Sequence, residues 1–200
     1  MPRLCRLVIG VGSLWGALTA PAGAGGLLFV KETIEVSVFP PDTVCIKGAY
    51  YFTGTGTDVA ELPLHYPFPA DSGAGYPFFI EVRDPHTAKP LPFVREGEGI
   101  AFSVRARAGD TAAVVVVYKQ RFPGKSGRYI LTTTALWGRP LNDGRYSVSV
   151  PKGATLDFMS YQCDSVVSSG GRMVYHFFKK KFMPDRDLTF QWTDVPAPAR

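Results

Sequence analysis

Residues 33–52 read TIEVSVFPPDTVCIKGAYYF, and this stretch decides the fold class. Ile34, Val36 and Val38 alternate with Thr33, Glu35 and Ser37. Alternation with period two is the pattern of a strand with one buried face, because successive side chains point to opposite sides. Pro40-Pro41-Asp42 is a turn signal, since proline pre-sets φ for a corner and aspartate bonds its own backbone. Beyond it, Val44, Ile46, Tyr50 and Phe52 share one face of a second strand, with Cys45 on the other.

The same reading extends along the chain. Leu62, Leu64, Tyr66 and Phe68 alternate, as do Phe78, Ile80 and Val82, and then Ile100, Phe102 and Val104. Ala113 to Tyr118 is apolar without alternation, which predicts a central strand buried on both faces. Tyr129 to Thr134 is rich in β-branched residues and reads as a further strand. Tyr146, Val148 and Val150 follow, then Leu156 and Phe158, then Met173, Tyr175 and Phe177, and finally Leu188, Phe190 and Trp192. Turn clusters such as Ala108-Gly109-Asp110, Asn142-Asp143-Gly144 and Ser169-Gly170-Gly171 separate these runs. Helical periodicity is nearly absent. About a dozen short strands at this spacing predict an all-β chain, an antiparallel β-sandwich of the immunoglobulin-like type.

Residues 1–24 do not read as part of that fold. Arg3 and Arg6 precede an uncharged apolar run from Leu7 to Leu18, and Pro21-Ala22-Gly23-Ala24 follows with small residues in an Ala-x-Ala arrangement. This is the pattern of a secretory signal peptide cleaved after Ala24. The apolar run is shorter than the ~20 residues a membrane-spanning helix needs. Removing 24 of the 200 residues leaves 176, which suits one domain over 25–194, or two packed sub-domains divided near the proline-rich 89–96. The Pro/Ala-rich tail, 195–200, reads as disordered.

Removing Arg3 and Arg6 from the 22 basic residues leaves 20 against 17 acidic ones, a net charge of +3. This is too small for a nucleic-acid footprint. Cys5 leaves with the signal, so Cys45 and Cys163 remain, and in an oxidising compartment they are expected to form a disulfide. Such a bond closes a 118-residue span, worth ~4–5 kcal/mol in the chain-entropy model.

Tyr50-x-Phe52 followed by Leu64-His65-Tyr66-Pro67-Phe68-Pro69 resembles the aromatic-proline box of exported β-sandwich families, including the vault/inter-α-trypsin-inhibitor-type domain and several bacterial exported domains. The resemblance covers about residues 44–82 and implies an exported β-sandwich of interaction type. It carries over no functional residues.

The residues that could carry chemistry do not cluster. His65, His86 and His176 lack the spacing of a metal or catalytic motif. No Gly-x-Ser-x-Gly elbow occurs, and Gly54-Thr55-Gly56 and Gly97-Glu98-Gly99 open no helix and so offer no phosphate site. Glu96 with Glu98, and Asp185 with Asp187, read as solvated turn charges. No catalytic residue, metal or cofactor is assigned. The candidate contacts are surface aromatics and a basic run: Tyr51, Trp137, Lys179, Lys180 and Lys181. Aromatics beside lysines can meet a protein, a sugar or an anionic lipid surface. The expected function is non-catalytic binding or assembly in the periplasm or extracellular envelope, with another envelope protein as partner. The alternatives are a carbohydrate- or anionic-lipid-binding module, and an enzyme whose site is assembled from distant strands.

Overall fold

The computed structural model describes residues 26–70 and 73–194. The expected signal segment, 1–24, and the expected disordered tail, 195–200, lie outside the described residues. The chain is all-β, and its described residues form thirteen strands and one 3-10 helix (Thr132–Trp137). The strands are β1 (Leu27–Phe39), β2 (Thr43–Gly54), β3 (Ala60–Pro67), β4 (Phe79–Arg83), β5 (Val94–Glu96), β6 (Gly99–Ala106), β7 (Thr111–Arg121), β8 (Ser126–Tyr129), β9 (Leu141–Pro151), β10 (Thr155–Met159), β11 (Ser165–Ser169), β12 (Arg172–Phe182) and β13 (Leu188–Thr193).

One layer is a seven-stranded sheet in the order β11-β12-β9-β1-β2-β7-β4. Two three-stranded sheets, β3-β6-β5 and β10-β13-β8, share the other layer. The expected antiparallel sandwich is corrected in one respect: β1 and β9 pair in parallel, with Ile34 opposite Tyr146. The strands of the large sheet are also long, 11 to 13 residues in β1, β2, β7, β9 and β12.

Parity along these strands follows the alternation in the sequence. Ile34, Val36, Val44, Ile46, Tyr50, Phe52, Val148 and Phe177 point inward and are buried. Buried residues on both sides of 89–96 belong to one contiguous cluster. β1 contains a register shift between Phe29 and Lys31. Without that bulge, strict alternation from Phe29 would drive Lys31 inward. With it, Phe29 and Glu32 both face the core at 1% exposure.

The two layers are joined by polar atoms as well as by apolar packing. Tyr50 of the large sheet hydrogen-bonds Tyr66 of β3 at 2.8 Å and Tyr129 of β8 at 2.8 Å. One hydroxyl thus ties all three sheets together in a dry interior. Burial pushes all three phenols well above their usual range, so they remain neutral, hydrogen-bonded groups.

The strand expected over Tyr129–Thr134 is cut short. β8 ends at Tyr129 and the 3-10 turn begins at Thr132. Asp187 explains the change: its Oδ1 accepts from the Leu131 and Thr132 backbone N–H groups, each at 3.0 Å, and from the Thr132 hydroxyl at 2.8 Å. A carboxylate from a distant segment outweighs local β propensity by supplying acceptors that a ladder would otherwise have to provide. Asp187 is therefore a structural cap, not a solvated turn charge.

Candidate functional site

The two small sheets both cover the same face of the seven-stranded sheet, and among the described residues no strand covers its opposite face, the open face. Seven strands at ~4.8 Å spacing make it about 29 Å wide. Register shows which side chains stand on it. From β1 and β2 come Lys31, Glu35, Phe39, Cys45, Lys47 and Tyr51. From β7 and β4 come Lys119, Arg121, Phe79, Glu81 and Arg83. From β9 and β12 come Asp143, Arg145, Arg172, His176, Phe178 and Lys180.

On these strands eight lysines and arginines therefore face outward against three carboxylates, Glu35, Glu81 and Asp143. Two of the carboxylates are already engaged, Glu35 by Lys47 at 3.1 Å and Glu81 by Arg83 at 3.4 Å. The excess of five positive charges on this face exceeds the +3 expected for the whole chain from Gly25 onward. Charge is thus segregated onto one side of the molecule.

Aromatic rings on the face are each met by a cation from another strand. Lys31 lies 4.8 Å from the centroid of Tyr51, Lys119 5.3 Å from Phe79 and Arg172 4.9 Å from Phe39. Phe178 has two, Arg145 at 5.6 Å and Lys180 at 5.9 Å. Phe39, Phe79 and Phe178 remain 39–44% exposed. Such pairs hold flexible cations in place at modest cost and leave each ring's free edge available for contact.

The structure separates the residues expected at the site. Tyr51 and Lys180 are on the open face. Lys179 and Lys181 have the opposite parity to Lys180, and Lys181 has φ 47°, so the lysine run does not form one patch. Trp137 ends the 3-10 turn and packs on Phe29 (5.5 Å) and Phe52 (5.6 Å), closing one end of the core. Arg145, Arg172, Lys119 and Phe39 were not singled out in the sequence. The available signal was charge at the outward positions of alternating strands, but which strands are neighbours was not visible there.

The expected disulfide is corrected. Cys45 and Cys163 are free. Cys45 is on β2 and Cys163 precedes β11, four strand spacings away, or about 19 Å. A disulfide needs Cα atoms within ~7 Å. Among the described residues, no group of three or more His, Cys, Asp or Glu is placed to hold a metal ion. No helix of the described residues is long and apolar enough to cross a membrane.

The chain matches no protein-family model and no curated protein. Among solved structures it is similar to a candidate nutrient binding protein of Legionella pneumophila, with TM-score 0.70 and 16% identity over 88% of this chain and 68% of that one. At this identity the likeness is one of fold. An M1 zinc metallopeptidase of Deinococcus radiodurans aligns at TM-score 0.46 and 11% identity, over 83% of this chain and 42% of that one. The chain spans less than half the length of that enzyme, and an alignment this loose carries no argument.

Proposed function

We propose that the chain is an exported, non-catalytic binding module of the cell envelope, and that it docks an acidic protein surface on the open face of its seven-stranded sheet. The observation that carries this reading is the segregation of charge: eight basic against three acidic side chains on one face, interleaved with Phe39, Tyr51, Phe79 and Phe178. Interfaces favour this composition, since aromatics and arginine bury large areas while charge steers the encounter. The fold shared with a candidate nutrient binding protein is compatible with a binding role.

The test is capture from the native envelope by the chain from Gly25 onward, with crosslinking, compared with a Lys119→Glu, Arg145→Glu, Lys180→Glu triple variant. These side chains are exposed, so the variant is expected to fold normally. One acidic protein captured by the parent and lost in the variant is the expected result. That capture should weaken as salt rises from about 0.05 to about 0.5 M, because the screening length contracts severalfold. Equal capture by both chains would overturn the proposal.

A second reading, an anionic glycan or lipid surface, is favoured by Phe178, where one exposed ring carries two cations. Sedimentation with phosphatidylserine vesicles that requires Arg145 and Lys180, without any protein capture, would select it.

A further inference from the structure

A cleft of about 770 Å³ lies where the two layers meet, lined by β6, the start of β7 and the segment that joins β4 to β5. Its walls include Leu91, Phe93, Val94 and Ala112, with Glu61 and Arg105 at the mouth, paired at 2.7 Å. The backbone around it has an unusual property. β3 pairs with β6 along its whole length, from Gly99 to Ala106, but β5 pairs only with Gly99, Ile100 and Ala101. Among the described residues, Phe102–Arg105 therefore have no neighbouring strand on the β5 side. On the other wall, β4 ends at Arg83 opposite Val115, although β2 pairs with β7 as far as Thr111. Among the described residues, 111–114 likewise have no neighbouring strand on the β4 side.

Both sheets thus lose their outer strand at the same end, on either side of one cleft. The joining segment explains why. After Arg83 the chain turns back on β4, with a bridge from Arg83 to Pro90 and a bond from the Leu91 N–H to the Val82 carbonyl at 2.8 Å. Pro90 and Pro92 cannot donate to a ladder, so β5 cannot extend backward along β6. In an antiparallel strand the N–H and C=O of one residue point to the same side and alternate along the chain. Two residues of Phe102–Arg105, and two of 111–114, therefore direct both groups into the cleft.

We infer that this cleft is a strand-addition site, which takes an extended peptide segment of a partner protein by main-chain pairing with β6 or β7. Unpaired edges are normally blunted by lysine, proline or a bulge. Here the prolines lie on the strand that withdraws, and the exposed ladders are left bare. Strand addition gives affinity through the backbone and selectivity through alternate side chains. Leu91, Phe93 and Val94 would select apolar residues at every second position. The site is distinct from the basic face and does not depend on it.

The probe is the acetylated, amidated peptide Lys-Thr-Val-Thr-Val-Thr-Lys, with a form N-methylated at every interior residue as control. Amide exchange is followed by NMR on the chain from Gly25 onward. Without peptide, alternate amides in Phe102–Arg105 and in 111–114 should exchange quickly. Added to millimolar concentration, the peptide should slow the fast amides of one set by about tenfold or more. The methylated form should have no effect, and Phe93→Asp, a half-exposed position, should abolish protection while retaining the parent's exchange pattern elsewhere. Three results would overturn the inference: uniformly slow exchange in both sets before addition, no protection by the peptide, or equal protection by the methylated form.

Discussion

The Tyr146 hydroxyl donates to Glu32 Oε1 at 2.6 Å inside the apolar core, with no cation among the described residues paired to the carboxyl. Both residues are placed by backbone features. The bulge in β1 turns Glu32 inward, and the Tyr146 ring lies over Gly144, the parallel partner of Glu32. A buried carboxyl with one neutral partner favours its protonated form.

Burial pushes the Glu32 carboxyl from its ordinary 4.5 up to about 7, against a smaller opposing effect of the Tyr146 bond. Its folded value exceeds its unfolded value, so the folded state binds the proton more tightly between the two. The stability this supplies is complete below about pH 4.5 and is lost as pH rises through about 7, a fall of about 3 kcal/mol. Thermal melts from pH 5 to 8 should show the decline in the parent chain. Glu32→Gln, which accepts the same bond without ionising, should flatten the profile and melt higher at pH 8. Superimposable profiles would refute the assignment.

Tyr50 is the hub of the three-sheet contact. Tyr50→Phe removes one hydroxyl and leaves those of Tyr66 and Tyr129 without their shared partner. Tyr66 and Tyr129 still interact with each other, so the expected cost is about 1–3 kcal/mol, that of one buried group losing its partner. Tyr129→Phe leaves the Tyr50–Tyr66 bond intact and should cost less, about 1 kcal/mol. Urea unfolding of both variants gives the comparison, and equal losses would mean that the hydroxyls do not act as a network.

Gly48 is required by the same tyrosine. A Cβ there would overlap the ring and hydroxyl of Tyr50, which fold back over the glycine. Gly48→Ala should therefore destabilise by about 2 kcal/mol, as overpacking does. Gly56→Ser makes a useful contrast because nothing lies near its Cβ, although its φ of +102° adds strain of its own. The Gly48→Ala loss should shrink in a Tyr50→Leu background, which a double-mutant cycle measures.

Arg172 holds β12 to the centre of the sheet. Its guanidinium donates to the Val38 carbonyl at 2.7 Å, the Ser149 carbonyl at 2.9 Å and the Ser149 hydroxyl at 3.1 Å, and it covers the ring of Phe39. Arg172→Met keeps the stem but removes the fork, and should cost about 1–3 kcal/mol. Arg172→Lys should recover only part of this, because one ammonium cannot span three acceptors. Full recovery would reduce the residue's role to charge alone.

The cysteines give a direct chemical check. The native chain from Gly25 onward should show two titratable thiols without reductant, and reductant should leave its melting temperature unchanged. Cys45 should be slow to alkylate near neutral pH, because burial raises its thiol above the usual range and the thiolate is the reactive form. A single intrachain disulfide would instead give no free thiols and a reductant-sensitive melt.

Much of the fold was legible in the sequence because period two is a local property of the chain. Ile34, Val36 and Val38, Tyr50 and Phe52, and Tyr175 and Phe177 declared which side of their strands faces the core, whereas the apolar 113–118 run, read as a central strand buried on both faces, lies in β7, next to the edge strand β4. The tertiary structure decided which strands become neighbours. The parallel β1–β9 pair, the distance between Cys45 and Cys163, and the capping of residues 131–132 by Asp187 all depend on contacts between residues far apart in the chain. The open face shows the same division. Alternation splits Lys179, Lys180 and Lys181 between two sides, while Arg145, Arg172 and Lys119 meet Phe178, Phe39 and Phe79 only across strands. Side-chain parity needs two residues to establish it, whereas a binding surface needs the order of seven strands.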